Sequence, residues 1–375
     1  MPKLTKKIGL LLIGGKHHIL HLIPISKSLS KFENVKVTIF VTTQGELELC
    51  ADILAKLNIN NCTLSILSAN KLLRKVSPKL AILFSNIMKL KRLDALIVAE
   101  RTSTILRYLS RRLPHFIHIP HGAGDRAKSY DPRIRHFDHV LVAGEKDKKR
   151  MLDLGLVSES TCHVTGYIKP YAVNMIRSKQ TELFENNYPI VLYNPHFNSK
   201  LTSWERFGFP LLERFSRIQN LNFIFAPHIR LFKKASAEER RKLGSFTKFA
   251  NIHVDLGSVS STDMTYTNIA DIYLGDVSSQ VYEFLSSPKP CVFIDAHETN
   301  WQNDPDYAHW HYGKVCASPD DILEAVKTAH EEHFEYENIQ RAGCLAAKGD
   351  PDWNPISRAA EIVMSILNRS DKHKW

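Results

Sequence analysis

The sequence predicts an α/β protein made of two Rossmann-like domains with parallel sheets, and three observations carry that prediction. Short apolar runs rich in β-branched residues recur along the chain, stretches of helical character separate them, and the pattern restarts after a polar segment near the middle. Continuous apolar strands alternating with helices are what a parallel sheet covered on both faces requires. At 375 residues the chain exceeds one ordinary core and suits two domains.

The first run, IGLLLI at 8–13, follows a charged start and stops at Gly14-Gly15 without a small-residue cleavage site, so it reads as a buried first strand. Strands are then expected at 35–41, 62–67, 95–99, 116–119, 139–143 and 162–167, the last ending in a Gly166 turn. The polar stretch 177–188 reads as the linker. Beyond it the same logic places strands at 189–196, 222–228, 251–257, 271–276 and 290–295, with helices at 204–218, 278–286 and 319–331. Closing helices follow at 338–349 and 355–368, the second opening with Asn354-Pro355 as N-cap and first-turn proline. The expected division is 1–175, 186–350 and a closing segment 351–375. Two such domains facing a central cleft form the architecture called GT-B.

Composition narrows the partners. Hydrophobic residues at 43% and charged residues at 24% are ordinary for a folded soluble chain. The six cysteines include no C-x-x-C pair, which speaks for a reducing compartment rather than a disulfide framework. No apolar run approaches the roughly 18 residues that span a bilayer, so the expected location is cytoplasmic. A net charge of +11 favours an acidic partner: a nucleic acid, an anionic lipid surface or a phosphorylated substrate. Between 71 and 92 lie seven basic residues and no acidic one, interleaved with apolar side chains. That pattern suits either a basic amphipathic helix lying on an anionic membrane surface, at the inner face of the plasma membrane, or a core-facing helix with solvated lysines. A nucleic-acid binder would show basic residues interleaved with an aromatic ladder, which is absent, and no nucleic acid is expected.

In open α/β sheets ligands sit beyond the carboxyl ends of the strands, so polar residues that follow strands are the candidates. His121 follows FIHIP and opens the loop HGAGD, where Gly122 and Gly124 admit close backbone approach. A histidine there suits a general base, its ordinary pKa lying near neutrality; a loop histidine bonded to backbone is the plain alternative. His118, two residues earlier on the same face, reads as core. His228 and Arg230 end the run NFIFAPH, delivering two potential cations to one strand terminus. In LGDVSSQVYEFLSS, Asp276 ends a strand and Ser278-Ser279 open a helix, a pattern that suits either an anion site at a helix start or simple N-capping. The eighteen histidines show no metal-ligand spacing, and His309 and His311 read as loop residues. No Walker, zincin or nucleophile-elbow motif is present and no G-x-G-x-x-G follows the first strand, so the ATPase, dinucleotide oxidoreductase, zincin and α/β-hydrolase readings lose ground.

Over roughly residues 115–325 the order of segments resembles the CDP-glycerol glycerophosphotransferase family, the teichoic-acid primases and polymerases of bacterial envelopes. HGAGDRAKSY resembles that family's histidine-glycine loop, and FDHVLVAGEKDKKRMLDLGL with CHVTGYIKP resembles the stretch ending in a Gly-Tyr turn. VLYNPHFNSKLTSW, FAPHIRLF and GDVSSQVYEFLSSPKPCVFID resemble, in order, the start of the donor domain, the second-histidine segment and the double-serine helix. The chain departs from the family with Ala-Gly-Asp after His121-Gly122 in place of Thr-Pro-Leu, with Tyr-Ile-Lys after Gly166 in place of Tyr-Pro-Arg, and with His196 in place of threonine.

The resemblance implies an acceptor-side domain followed by a nucleotide-donor domain, with His121 as base and His228 beside the reacting phosphates. It places Ser278 and Ser279 with His228 on the donor pyrophosphate; Asp276, Arg230, Asn194, His196, Gly166 and Glu283 are the further candidates on the donor side, and Gly122, Asp125 and Arg126 those on the acceptor side. It implies a CDP-activated donor as substrate, a glycan or lipid-linked acceptor, and no tightly bound cofactor or metal. Two alternatives share the architecture: glycosyltransferases of capsule assembly that use CMP- or UDP-sugars, and non-hydrolysing UDP-N-acetylglucosamine 2-epimerases, whose Gly-Gly after the strand is Ser-Ser here.

Overall fold

The computed structural model describes residues 5–69, 77–110, 112–177 and 182–372. It divides into two compact units: Met1–Ala123 with Lys128–Arg177 and Leu345–Trp375, and Gly124–Ala127 with Ser178–Cys344.

The first unit is built on a seven-stranded sheet of β1 (Lys6–Leu11), β2 (Val35–Val41), β3 (Cys62–Ile66), β4 (Ala95–Val98), β5 (His115–His118), β6 (His139–Val142) and β7 (Cys162–Val164). Their order is β3-β2-β1-β4-β5-β6-β7 and every pairing is parallel. β1 lies at the centre, with Ile8 paired to Val37 on one side and Ala95 on the other, and its side chains from Ile8 to Leu11 are buried. The helix Gln44–Lys56 starts where Thr43 accepts the Glu46 N–H and the Glu46 carboxylate accepts the Thr42 N–H, a reciprocal cap that satisfies two otherwise orphaned donors. Residues 71–76 of the basic stretch lie outside the described residues. Its remainder forms the helix Pro78–Leu90, which buries Ala81, Ile82, Leu83 and Leu90 and leaves Phe84 and Met88 exposed.

The second unit repeats the plan with six parallel strands: β8 (Ile190–Asn194), β9 (Asn222–Phe225), β10 (Ile252–Val254), β11 (Ile272–Gly275), β12 (Cys291–Ile294) and β13 (Lys314–Cys316), in the order β10-β9-β8-β11-β12-β13. The short edge strand β13 has no counterpart in the sequence reading, because three residues after Gly313 are too few to show a period. Aromatic residues fill this core: Phe215 and Phe223 stack at 4.1 Å, and Trp204 lies over Phe225 at 4.8 Å. The expected helix over 278–286 shrinks to the single turn Val281–Phe284, closed by Ser286-Ser287-Pro288.

The tail from Leu345 groups with the first unit rather than standing as a separate segment from 351. The Tyr167 N–H donates to the Lys348 carbonyl at 2.9 Å, and Gly144 lies so close to the Ala346 carbonyl that a Cβ would stand 2.2 Å from it. In the helix Pro355–Lys372, Ser357 meets Ser28 at 3.2 Å and the Arg358 guanidinium covers the Trp353 ring. Among the described residues no helix is long and apolar enough to cross a membrane.

Phe223 is wholly enclosed. Phe223→Ala is expected to lower stability by about 3–5 kcal/mol, read as a shift in urea midpoint, because the ring's stacking partners cannot close over the void.

Candidate functional site

Each sheet reverses its strand order once, between β1 and β4 in the first unit and between β8 and β11 in the second. Doubly wound sheets bind ligands beyond the carboxyl ends of the strands at such reversals, because the flanking loops diverge to opposite faces there. The candidate residues fall into one group in each unit.

In the first unit, the loop after β1 carries Lys16–His18 as a short 3-10 turn, and β4 is followed by Ala99, whose carbonyl holds the His121 imidazole. A carbonyl oxygen only accepts, so His121 Nδ1–H donates to it at 3.1 Å, and in the neutral ring Nε2 is the basic nitrogen. His17, His18 and His121 each present a ring nitrogen within 4.8 Å of the others. Linear spacing hid this grouping, since His121 arrives from a different strand; the adjacent pair His17-His18 after Gly14-Gly15 was its only trace. Burial drives the His18 pKa well below its usual value, and the neighbouring His121, His17, His21 and Lys79 add to the effect. His21 is driven down likewise, by burial and then by Lys169. His118 is core as expected: its Nδ1 donates to the Val98 carbonyl, it stacks on Phe137 at 4.6 Å, and burial brings its pKa down to about 3. Gly122 sits at φ 85°, a backbone conformation that side chains resist, and Gly166 sits buried at φ 93°.

The loop after His121 divides. Residues 124–127 belong to the second unit, and this changes the role expected for Asp125. Asp125 is 2% exposed; its carboxylate accepts from the Tyr282 hydroxyl at 2.8 Å and from the His309 N–H at 3.2 Å, with His309 Nδ1 2.8 Å away. It anchors the loop and does not reach outward to a ligand. Next to it, Arg126 Nη1 lies 3.4 Å from His196 Nε2, and Gly124 approaches Ser279 so closely that a Cβ would stand 2.8 Å from the serine's own.

Asp276 and Asn194 also turn inward. Asp276 is 0% exposed and accepts the N–H groups of His196, Ser203 and Val277 and the Ser203 hydroxyl. Burial raises its pKa while these donors oppose the rise. Asn194 donates to the Ala226 carbonyl and accepts from the Tyr273 hydroxyl. Both are positioning groups for the strand ends, and Glu283 is buried as well. His309, expected in a loop, brings Nε2 to the Asp276 carbonyl at 3.2 Å, and the neighbouring Trp310 Nε1 donates to the same oxygen at 3.0 Å. Alternation in DYAHWHYG carries no signal for such tertiary bonds. His311 is exposed and contacts the Gln302 carbonyl.

The accessible polar groups of the second unit are therefore His228, Arg126, Arg230 and Ser279, with His196 and Ser278 buried behind them. His228 and His196 rings stand 5.6 Å apart, Phe197 packs against His228 at 4.5 Å, and the Arg230 guanidinium lies over Phe197. Burial, followed by the nearby Arg230 charge, takes the His228 pKa down to about 4, so at neutral pH the ring is uncharged. Its Nδ1 accepts the Arg230 N–H at 3.1 Å, which places the proton on Nε2. His228 is thus a neutral hydrogen-bond donor where a cation was expected. Ser278 is buried and Ser279 exposed at the start of the single helical turn. One turn aligns few peptide dipoles, so an anion here would rest on hydroxyls and backbone N–H groups far more than on a helix dipole.

The His228 shift fixes a pH dependence. With a folded pKa of about 4 against 6.5 unfolded, the unfolded chain takes up the proton first, so stability is lost as pH falls from 6.5 toward 4. His228→Gln is expected to lose less than the parent over that window, measured as urea midpoint against pH.

No protein-family model matches this sequence, and no curated protein matches it. Solved structures do match. The chain is similar to the UDP-GlcNAc 2-epimerase of Neisseria meningitidis bound to UDP-GlcNAc, with TM-score 0.67 and 16% identity, covering 97% of this chain and 100% of that one. It is similar to the wall teichoic acid polymerase TagF soaked with CDPG, with TM-score 0.65 and 12% identity over 98% of this chain and 89% of that one. It is also similar to Anabaena HepE in complex with UDP and glucose, with TM-score 0.55 and 12% identity over 97% and 100%. Likeness at these identities carries the fold: two Rossmann-like parallel-sheet units in the GT-B class.

Proposed function

We propose that this chain is a transferase that moves a glycerophosphate-type group from a CDP-activated donor to a hydroxyl of a cell-envelope glycan or lipid-linked acceptor. The supporting observation is the group of hydrogen-bond donors at the reversal of the second sheet: His228 Nε2–H, Arg126, Arg230 and the Ser278-Ser279 turn. Donors of this kind suit the oxygens of a pyrophosphate, and the partly exposed Asp306 carboxylate lies beside Arg126. The similarity to TagF and the segment order over 115–325 agree with that reading.

In the proposed step the acceptor oxygen bonds to the β-phosphorus of the donor, the bond to the bridging oxygen breaks, and CMP leaves. His121 Nε2 takes the acceptor's proton, because Nδ1 is already committed to the Ala99 carbonyl. His228, Arg230, Ser278 and Ser279 hold the charge on the transferring and leaving phosphates. Asp276 acts one step removed, by fixing the backbone of His196 and Val277.

A second reading is a glycosyltransferase that takes a CMP- or UDP-sugar on the same donors. It is favoured by neighbours solved with UDP-GlcNAc and with UDP and glucose. A thermal-shift series with CMP, CDP, CDP-glycerol, UDP, UDP-sugars and CMP-sugars separates the two, since a ligand of the native state raises the apparent Tm. Stabilisation by CDP and CDP-glycerol is expected, and a stronger response to sugar nucleotides would replace the first reading by the second. His121→Ala is expected to keep donor binding and lose transfer on the order of a hundredfold, whereas His228→Ala should lose both. Near-normal transfer by both variants, shown folded, would sink the mechanism.

A further inference from the structure

The three imidazoles at the reversal of the first sheet are arranged for something other than proton transfer alone. His18 is 3% exposed, and neither of its ring nitrogens has a hydrogen-bond partner. A buried polar group without a partner is destabilising, so such a group calls for a ligand or a function. Its ring centroid lies 4.1 Å from that of His17 and 4.4 Å from that of His121. Gly14 makes room for it: a Cβ at Gly14 would stand 1.9 Å from His18 Cε1. The chain has therefore placed a glycine where it lets an unpartnered imidazole sit beside two others.

We propose that His17, His18 and His121 form a binding site for a divalent transition-metal ion of the zinc class. Neutral imidazoles are the common ligands of such ions, and three of them with a solvent-facing fourth position make an open tetrahedral site. His17 is half-buried and His121 exposed, so the fourth position is reachable from water. The His121 bond from Nδ1 to the Ala99 carbonyl is the outer-shell contact that fixes tautomer and ring direction in metal-ligating histidines, and it directs Nε2 to the ion. The ligand nitrogens lie within 4.8 Å of one another, against about 3.3 Å for the edge of a tetrahedron with bonds near 2.0–2.1 Å. Binding an ion would require the rings to close that difference, with His121 keeping its Nδ1 bond. Lys79, whose charge bears on His18, is paired with Glu100 at 3.4 Å.

The site lies wholly in the first unit and is defined without donor or acceptor, so it stands apart from the transferase reading. It does bear on that reading at one atom: an ion and a proton compete for His121 Nε2. Bound zinc would withdraw the base, and a chelator would restore transfer.

The test is a titration of the chelator-stripped full chain with Co²⁺, followed by displacement with Zn²⁺. One equivalent should bind with the intense visible absorption of tetrahedral cobalt, and zinc should abolish it. His17→Ala and His121→Ala should each weaken binding by at least about tenfold with unchanged circular dichroism. His163→Ala, in the separate His139–His163 contact, should bind as the parent does. His18→Leu, which preserves apolar volume, should remove binding; if it fails to fold, the two accessible-ring variants still decide. Absence of saturable binding at one equivalent, or parent-like affinity in His17→Ala and His121→Ala, would overturn the proposal.

Discussion

Both oxygens of a fully buried carboxylate hold the ends of two central strands in the second unit. Asp276, just past β11, accepts three backbone N–H groups and a hydroxyl from the segments after β8 and from its own successor Val277. A charge removed from water is tolerated only when its lone pairs are met in this way. The consequence is geometric: the backbones carrying His196 and Ser278 leave the sheet in fixed directions. His309 and Trp310 then fasten onto the Asp276 carbonyl, and His309 links onward to Asp125 and the loop 124–127. Remove that anchor and the outward donors lose their shared frame.

The division of labour between buried and accessible polar groups follows from it. Asp276, Asn194, Asp125 and Glu283 all appear in motifs that invite a binding role, yet each is buried. Their chemistry is spent on the protein itself. What remains outward is a set of donors, with His228 kept uncharged by burial and its proton on Nε2 because Nδ1 accepts the Arg230 N–H. In the first unit the opposite holds. His18 is buried without a partner while His121 is accessible and committed through Nδ1, so the polar groups there are not all satisfied by the protein itself.

Much of the fold was legible because it rests on local rules. The runs IGLLLI and ALIVA are apolar on both faces, as a helix-covered parallel sheet requires. The limits of that legibility are equally physical. Lys314–Cys316 is too short to show a period, and the run VSSQVYEFLSS was given a longer helix than the turn Val281–Phe284, because Ser286, Ser287 and Pro288 end it. The site was half visible: His121, His228 and the serine pair follow strands, where ligands bind, but whether each polar side chain faces out or in depends on partners far along the chain.

Periodicity, strand-end position and the double-serine segment, all local properties of the sequence, determined the α/β class, the repeated parallel-sheet plan and the histidines to examine. Only the tertiary structure decided which of those residues are anchors and which stay accessible. Asp125 meets Tyr282 and His309, Asp276 meets Ser203, and His121 meets His17 and His18, each across a large separation in sequence. The physical reason is that burial and hydrogen-bond satisfaction are properties of an environment assembled from several strands, and no single stretch of chain contains it.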